Sequence, residues 1–162
     1  MKRLAIENAT RNIVALAVLV VAVAAPPAAA SEKTDVVAVV HQFIGDLNSG
    51  DIKGALSACA ATSSIVDEFP PYAWQGATAC ADWARDFDSD NKKNGITDAT
   101  VTIGPPKHVD VSGDRAYAVV PATFTCKKNG KRMTESGSTF TVALQKVAEG
   151  WRITGWAWAK GH

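Results

Sequence analysis

The residues best suited to chemistry lie in one short stretch, SSIVDEFPPYAWQG, from Ser63 to Gly76. Ile65 and Val66 lead to two acids, Asp67 and Glu68; two prolines follow, then Tyr72, Trp74 and a glycine. On an alternating strand Asp67 shares a face with Ile65 and Phe69, so its carboxylate points into apolar surroundings. Desolvation raises a carboxylate's pKa, which suits a general base or a polar anchor for a ligand. In the opposing reading Asp67 is a strand-end carboxylate that caps a backbone amide or pairs with an arginine. Tyr72 and Trp74 either roof a cavity with a hydroxyl and an indole donor or pack a rigid loop over the core.

Other candidates lie far from this stretch in sequence. Trp156 and Trp158 are two residues apart, so a strand puts both on one face, with Trp151, Ile153 and Ala157 on the other. Such a pair lines a pocket or simply fills a core. Trp83 and Phe87 read as core residues of a helix, with cavity lining as the second reading. His41, on a helix edge beside Phe43, is a proton partner for Asp67 or a structural residue. Three scattered histidines make no metal constellation, and no dinucleotide or phosphate-loop fingerprint is present. The reading calls for no metal and no cofactor.

Helices come first among the elements that must position these side chains. Val36, Val40, Phe43, Ile44 and Leu47 recur at helical spacing between Asp35 and Asn48, with Thr34 as a cap and Gly50 as the stop. GDIKGALSACA predicts a short second helix that includes Cys59, SSIV a brief strand, and residues 76–95 a third helix carrying Cys80. The chain then turns β-rich. Thr100 to Val111 is interrupted at Gly104-Pro105-Pro106, and strands follow over 115–128, 134–147 and 151–159. Asn129-Gly130 supplies the strongest hairpin signal, because both residues accept a positive φ.

Two further features bear on the compartment. Lys2, Arg3 and Arg11 precede a thirteen-residue apolar run, Ile13 to Ala25, and Ala28-Ala29-Ala30 offers a small-residue cleavage site. That order predicts a signal peptide over 1–30, cleaved after Ala30, and an exported domain over 31–162 that is periplasmic or secreted. The run falls short of the roughly 20 residues of a membrane-spanning helix, so no membrane association is expected after processing. Of the chain's 17 basic and 16 acidic residues, three and one fall in the first thirty, which leaves the mature part near neutral. Only KKNGKR, 127–132, is locally basic, so nucleic acid is not expected as a partner. Cys59, Cys80 and Cys126 lack zinc or redox spacing. A Cys59–Cys80 disulfide is the expected bridge, against the reading that all three are small buried hydrophobes.

Helices followed by a meander of long strands make an α+β fold: three N-terminal helices packed on a strongly curved antiparallel sheet, a cone-shaped α+β barrel. Over residues 34–160 the chain resembles the nuclear transport factor two-like superfamily, which includes SnoaL-like polyketide cyclases and ketosteroid isomerases. The resemblance rests on VVAVVHQFIGDLNSGDIKGAL, on the short strand ending in Asp67, on YAWQG and on the terminal GWRITGWAWAK. It implies Asp67 in the place of the isomerases' general base. It also puts Phe43 where those enzymes have an oxyanion-hole tyrosine, and Ser138 where they have a protonated acid.

Each missing oxyanion donor typically costs about 3 to 4 kcal/mol of transition-state stabilisation, so steroid isomerisation is not expected. The expectation is an exported domain, non-catalytic or weakly catalytic, that binds an apolar small molecule in an aromatic-lined cavity. Phe43, Tyr72, Trp74, Ser138, Trp156 and Trp158 are the expected ligand contacts, with Asp67 as the polar one. The alternatives are a cofactor-free isomerase, cyclase or hydrolase with Asp67 as base, assisted by Tyr72 or His41, and a dimeric interaction module pairing through Thr123, Thr125, Thr139 and Thr141.

Overall fold

The structure, a computed structural model, describes residues 28–162. The expected signal peptide lies outside the described residues except for Ala28–Ala30, which open the first helix, α1 (Ala28–Ser49). The heptad-like spacing of Val36, Val40, Phe43 and Ile44 gives α1 one buried face. The helix starts before the expected Thr34 cap, and the Thr34 hydroxyl instead donates back to the Ala30 carbonyl at 3.0 Å. Helix α2 (Ile52–Ser57) follows, with Asp51 at its N-cap accepting from the Gly54 amide at 2.9 Å.

Two boundaries differ from expectation for tertiary reasons. The second helix stops at Ser57, and Cys59 instead begins strand β1 (Cys59–Val66), because this segment pairs with the last strand of the chain. YAWQG does not open the third helix. Ala73–Gly76 forms a short strand, β2, antiparallel to β1, and helix α3 begins at Ala79 and runs to Lys93. Strands β3 (Ile96–Ile103), β4 (His108–Ser112), β5 (Arg115–Lys128), β6 (Lys131–Val147) and β7 (Gly150–Ala159) complete the fold. Asn129 and Gly130 both have positive φ, 50° and 79°, as the β5–β6 turn requires.

The sheet runs β2-β1-β7-β6-β5-β3, with β4 also paired to β5. It is mixed and open: β1 and β7 are parallel and every other pairing is antiparallel. Gly155 permits the parallel pair, since a Cβ there would stand 2.6 Å from the Ser64 carbonyl oxygen. Register breaks at Thr97/Thr100, Ala122/Phe124 and Ala143/Leu144 bend the sheet around the helices.

The break in β7 corrects the expected face assignment. Ile153 pairs with Leu144 and Gly155 with Ala143, so Thr154 is extra. One added residue reverses the alternation. Trp151, Ile153, Trp156 and Trp158 therefore all lie on the concave face, opposite Lys146, Leu144, Val142 and Phe140. Thr139 and Thr141 alternate with these partners and belong to the convex face.

Cys59 and Cys80 are joined, and the bridge ties a strand to a helix rather than two helices. Cys126 is a buried free thiol. Closing a loop of sequence separation 21 corresponds to about 3 kcal/mol in the chain-entropy account. Reduction, or replacement of both cysteines by alanine, is expected to lower unfolding free energy by about that amount in urea titration.

Candidate functional site

A cavity of about 170 Å³ lies between α1, α3 and the concave face of the sheet. Helix α1 contributes Phe43, Ile44 and Leu47; α3 contributes Trp83, Ala84 and Phe87; the sheet contributes Phe124, Phe140, Trp156 and Trp158. The rings form a connected wall. Trp83 meets Trp156 edge-on at 4.8 Å and stacks on Phe87 at 5.4 Å; Phe43 lies parallel to Phe140 at 6.3 Å. These separations are within the favourable range for aromatic pairs.

Asp67 comes to this wall by strand alternation. Ser63 and Ile65 are buried on the inner face, Ile65 pairs with Trp156, and Asp67 is the next inward residue. One carboxylate oxygen accepts from the Trp83 indole at 2.8 Å and the other from the Glu68 backbone amide at 2.7 Å. Burial raises its pKa from 3.8 to about 6, outweighing those two hydrogen bonds, and the charges of Glu68 and Glu135 act in the same direction as burial. Asp67 is thus largely buried beside aromatic rings, as the alternation implied, and it also caps a backbone amide, as the opposing reading expected; among the described residues neither oxygen is bonded to an arginine.

A second acid, which sequence reasoning missed, stands near Asp67. Glu135 is on β6, its side chain only 11 % exposed. One of its oxygens accepts from Ser138 Oγ, Trp158 Nε1 and the Gly161 amide. Desolvation would raise its pKa, but these donors and Lys160 together hold it below the usual value. Lys160 also pairs with Glu68 at 2.9 Å, so one lysine is shared between two acids. A glutamate amid small polar residues, TESGST, was the only sequence signal. It was unreadable without the register break that turns Glu135 inward opposite Phe124.

Of the expected contacts, Phe43, Asp67, Trp156 and Trp158 line the cavity together. The other four do not. His41 is exposed on the outer side of α1 and has no contact with Asp67. Tyr72 is 57 % exposed because the loop turns at it with a positive φ. Trp74 is buried against Phe69, its indole donating to Asp86 at 2.9 Å, so it secures α3 to β2. Ser138 is 1 % exposed and spends its hydroxyl on Glu135 at 2.6 Å. Trp83 is buried in the core, as expected, and its indole N–H also holds Asp67. Among the described residues, no group of three histidine, cysteine, aspartate or glutamate side chains is placed to hold a metal ion.

Three helices over the hollow of a bent, open sheet, with an acid-edged aromatic cavity between them, define an α+β cone. The SnoaL-like domain family matches residues 36–157, well over half of the sequence, and the chain belongs to that family. No curated protein matches it in sequence. Its fold is similar to that of a nuclear transport factor 2-like protein with a cystatin-like fold from Novosphingobium aromaticivorans, at 16 % identity over 81 % of this chain and 82 % of that one, with a TM-score of 0.65. A ketosteroid isomerase-like protein from Erwinia carotovora atroseptica matches at 18 % identity over 80 % and 95 %, TM-score 0.63. A hexachlorocyclohexane dehydrochlorinase matches at 8 % identity over 82 % and 87 %, TM-score 0.68. At these identities the likeness establishes the fold alone.

The buried carboxylate has a stability cost whose sign follows from linkage. Asp67 binds its proton more tightly folded than unfolded, so its contribution is most favourable below pH 3.8 and is lost as pH rises through about 6. The shift corresponds to at most about 3 kcal/mol, less about 1 for the donor that an amide would leave unpaired. Asp67→Asn is therefore expected to be more stable than the parent at pH 8 by about 2 kcal/mol, and the gap to shrink toward pH 4, in parallel denaturant titrations.

Proposed function

We propose that this domain binds a small apolar molecule of about one ring in the cavity, with Asp67 as its polar contact. The observation that carries the reading is the aromatic-walled void itself, about 170 Å³ with Asp67 at its edge. An apolar cavity of about 150 Å³ suffices for benzene, so a single ring with a short substituent fits. The proposed setting is outside the cytoplasm, after cleavage behind Ala30. The Cys59–Cys80 bridge supports that setting, because such bonds persist in oxidising compartments.

The donor inventory favours binding over enolate chemistry. An oxyanion hole needs preorganised donors aimed at the developing charge. Phe43 has no hydroxyl, and Ser138 is turned to Glu135. The Trp83 and Trp158 indoles are already committed to carboxylates. Among the buried side-chain donors of the described residues only the Trp156 indole N–H lacks an acceptor.

Three tryptophans line the void, so occupancy is expected to change intrinsic fluorescence in a saturable way on titration with single-ring aromatics. Ala84→Leu, which adds bulk at the wall, should weaken that response at least tenfold while leaving the circular dichroism unchanged. A parent protein unresponsive to a broad single-ring panel would refute the reading.

A second reading follows from the carboxylate. A pKa of about 6 suits a general base near neutrality, and a base alone can drive elimination, the reaction class that the dehydrochlorinase's name denotes. On that reading Asp67→Asn abolishes turnover of an activated elimination substrate with the fold intact. Unchanged turnover in the variant would exclude it.

A further inference from the structure

We infer that the cavity is built for a small organic cation, a compact protonated or quaternary amine whose nitrogen sits beside Asp67 among the aromatic rings. The inference rests on the cavity's being a ligand site and specifies the charge of what enters it.

The charges around the cavity are of one sign. Asp67, Glu68 and Asp90 contribute to its lining, and among the described lining residues there is no lysine, arginine or histidine. Glu68 already has its counter-ion in Lys160 at 2.9 Å, outside the cavity. Asp67 has only neutral donors, the Trp83 indole and a backbone amide, and Asp90 makes no ion pair among the described residues. An anionic ligand entering here would meet uncompensated carboxylates in a low-dielectric space, where like-charge repulsion is poorly screened.

The walls suit a cation for an independent reason. The faces of tryptophan and phenylalanine rings carry negative quadrupole potential and attract ammonium groups within about 6 Å, most strongly when water is excluded. Phe43, Trp83, Phe140 and Trp156 approach one another at centroid distances of 4.8 to 6.4 Å. All four line the same cavity as Asp67, so a cation held in it is surrounded by aromatic rings with a carboxylate among the lining groups. Burial has already withdrawn solvation from Asp67, so a cation beside it replaces what water no longer supplies. A neutral ligand would leave that penalty in place. At pH 7.5 the carboxylate is ionised, since its pKa is about 6.

Matched one-ring probes separate the possibilities. Benzylamine, benzyl alcohol and benzoate are similar in size and differ in charge, and each is titrated at pH 7.5 by tryptophan fluorescence and calorimetry, with the disulfide intact. Benzylamine is expected to bind at least tenfold more tightly than benzyl alcohol, with benzoate weakest. The preference should decline with added salt, and Asp67→Asn should largely erase the ratio between amine and alcohol. Equal affinity for amine and alcohol, or tighter binding of benzoate, overturns the cation inference while leaving the ligand site standing. Binding of none of the three, with the parent also silent to the wider panel, overturns the ligand site itself.

Discussion

One inserted residue decides which way the last strand faces. Thr154 has no partner across β6, and the side-chain alternation reverses at that point. Were the strand regular, Trp151 and Ile153 would lie on the sheet face opposite Trp156 and Trp158, and one pair would be left in solvent. With the bulge, all four serve the concave side in sequence. Trp151 donates to Glu32 of α1 at 2.9 Å, Ile153 is fully buried, Trp156 sits opposite Val142, and Trp158 reaches Glu135.

The position of α1 over the hollow follows from two polar attachments at its ends. Near its start, Glu32 takes the Trp151 indole and the Lys146 ammonium. At its finish, the Asn48 amide donates to the Val101 carbonyl and accepts from the Val101 amide, both within 3 Å. Between them the apolar face of Val36, Val40 and Phe43 packs on the sheet. The helix is thus attached to the sheet at both ends, and the cavity lies beside Phe43 near its finish. The Cys59–Cys80 bridge ties the start of α3 to the first residue of β1, the strand whose other end leads into Asp67.

The site departs from what fold stability alone would select. A carboxylate taken from water and given only neutral donors works against folding at neutral pH. Glu135, by comparison, has three donors and a lysine around the same rim. Of these two acids Asp67 is the one whose charge has no cation beside it, although each of its oxygens accepts one hydrogen bond from a neutral donor.

Much of this was legible in the residues. Helical spacing in α1, the Asn129-Gly130 hairpin, the extent of β5 and the inward direction of Asp67 each follow from periodicity or turn chemistry acting over a few residues. Those are local constraints, set by backbone sterics and by the need to hide apolar side chains. The strand made by AWQG, the early end of α2, the reversal at Thr154 and the inward turn of Glu135 were decided by pairing with other strands. The diversion of Trp74 to Asp86 depended on the docking of α3, whereas the outward placement of Tyr72 follows from the local turn and its positive φ. A hydrogen-bonded register between distant strands, unlike a helical repeat, leaves no periodic trace in either strand alone, and the composition of the cavity wall depends on that register.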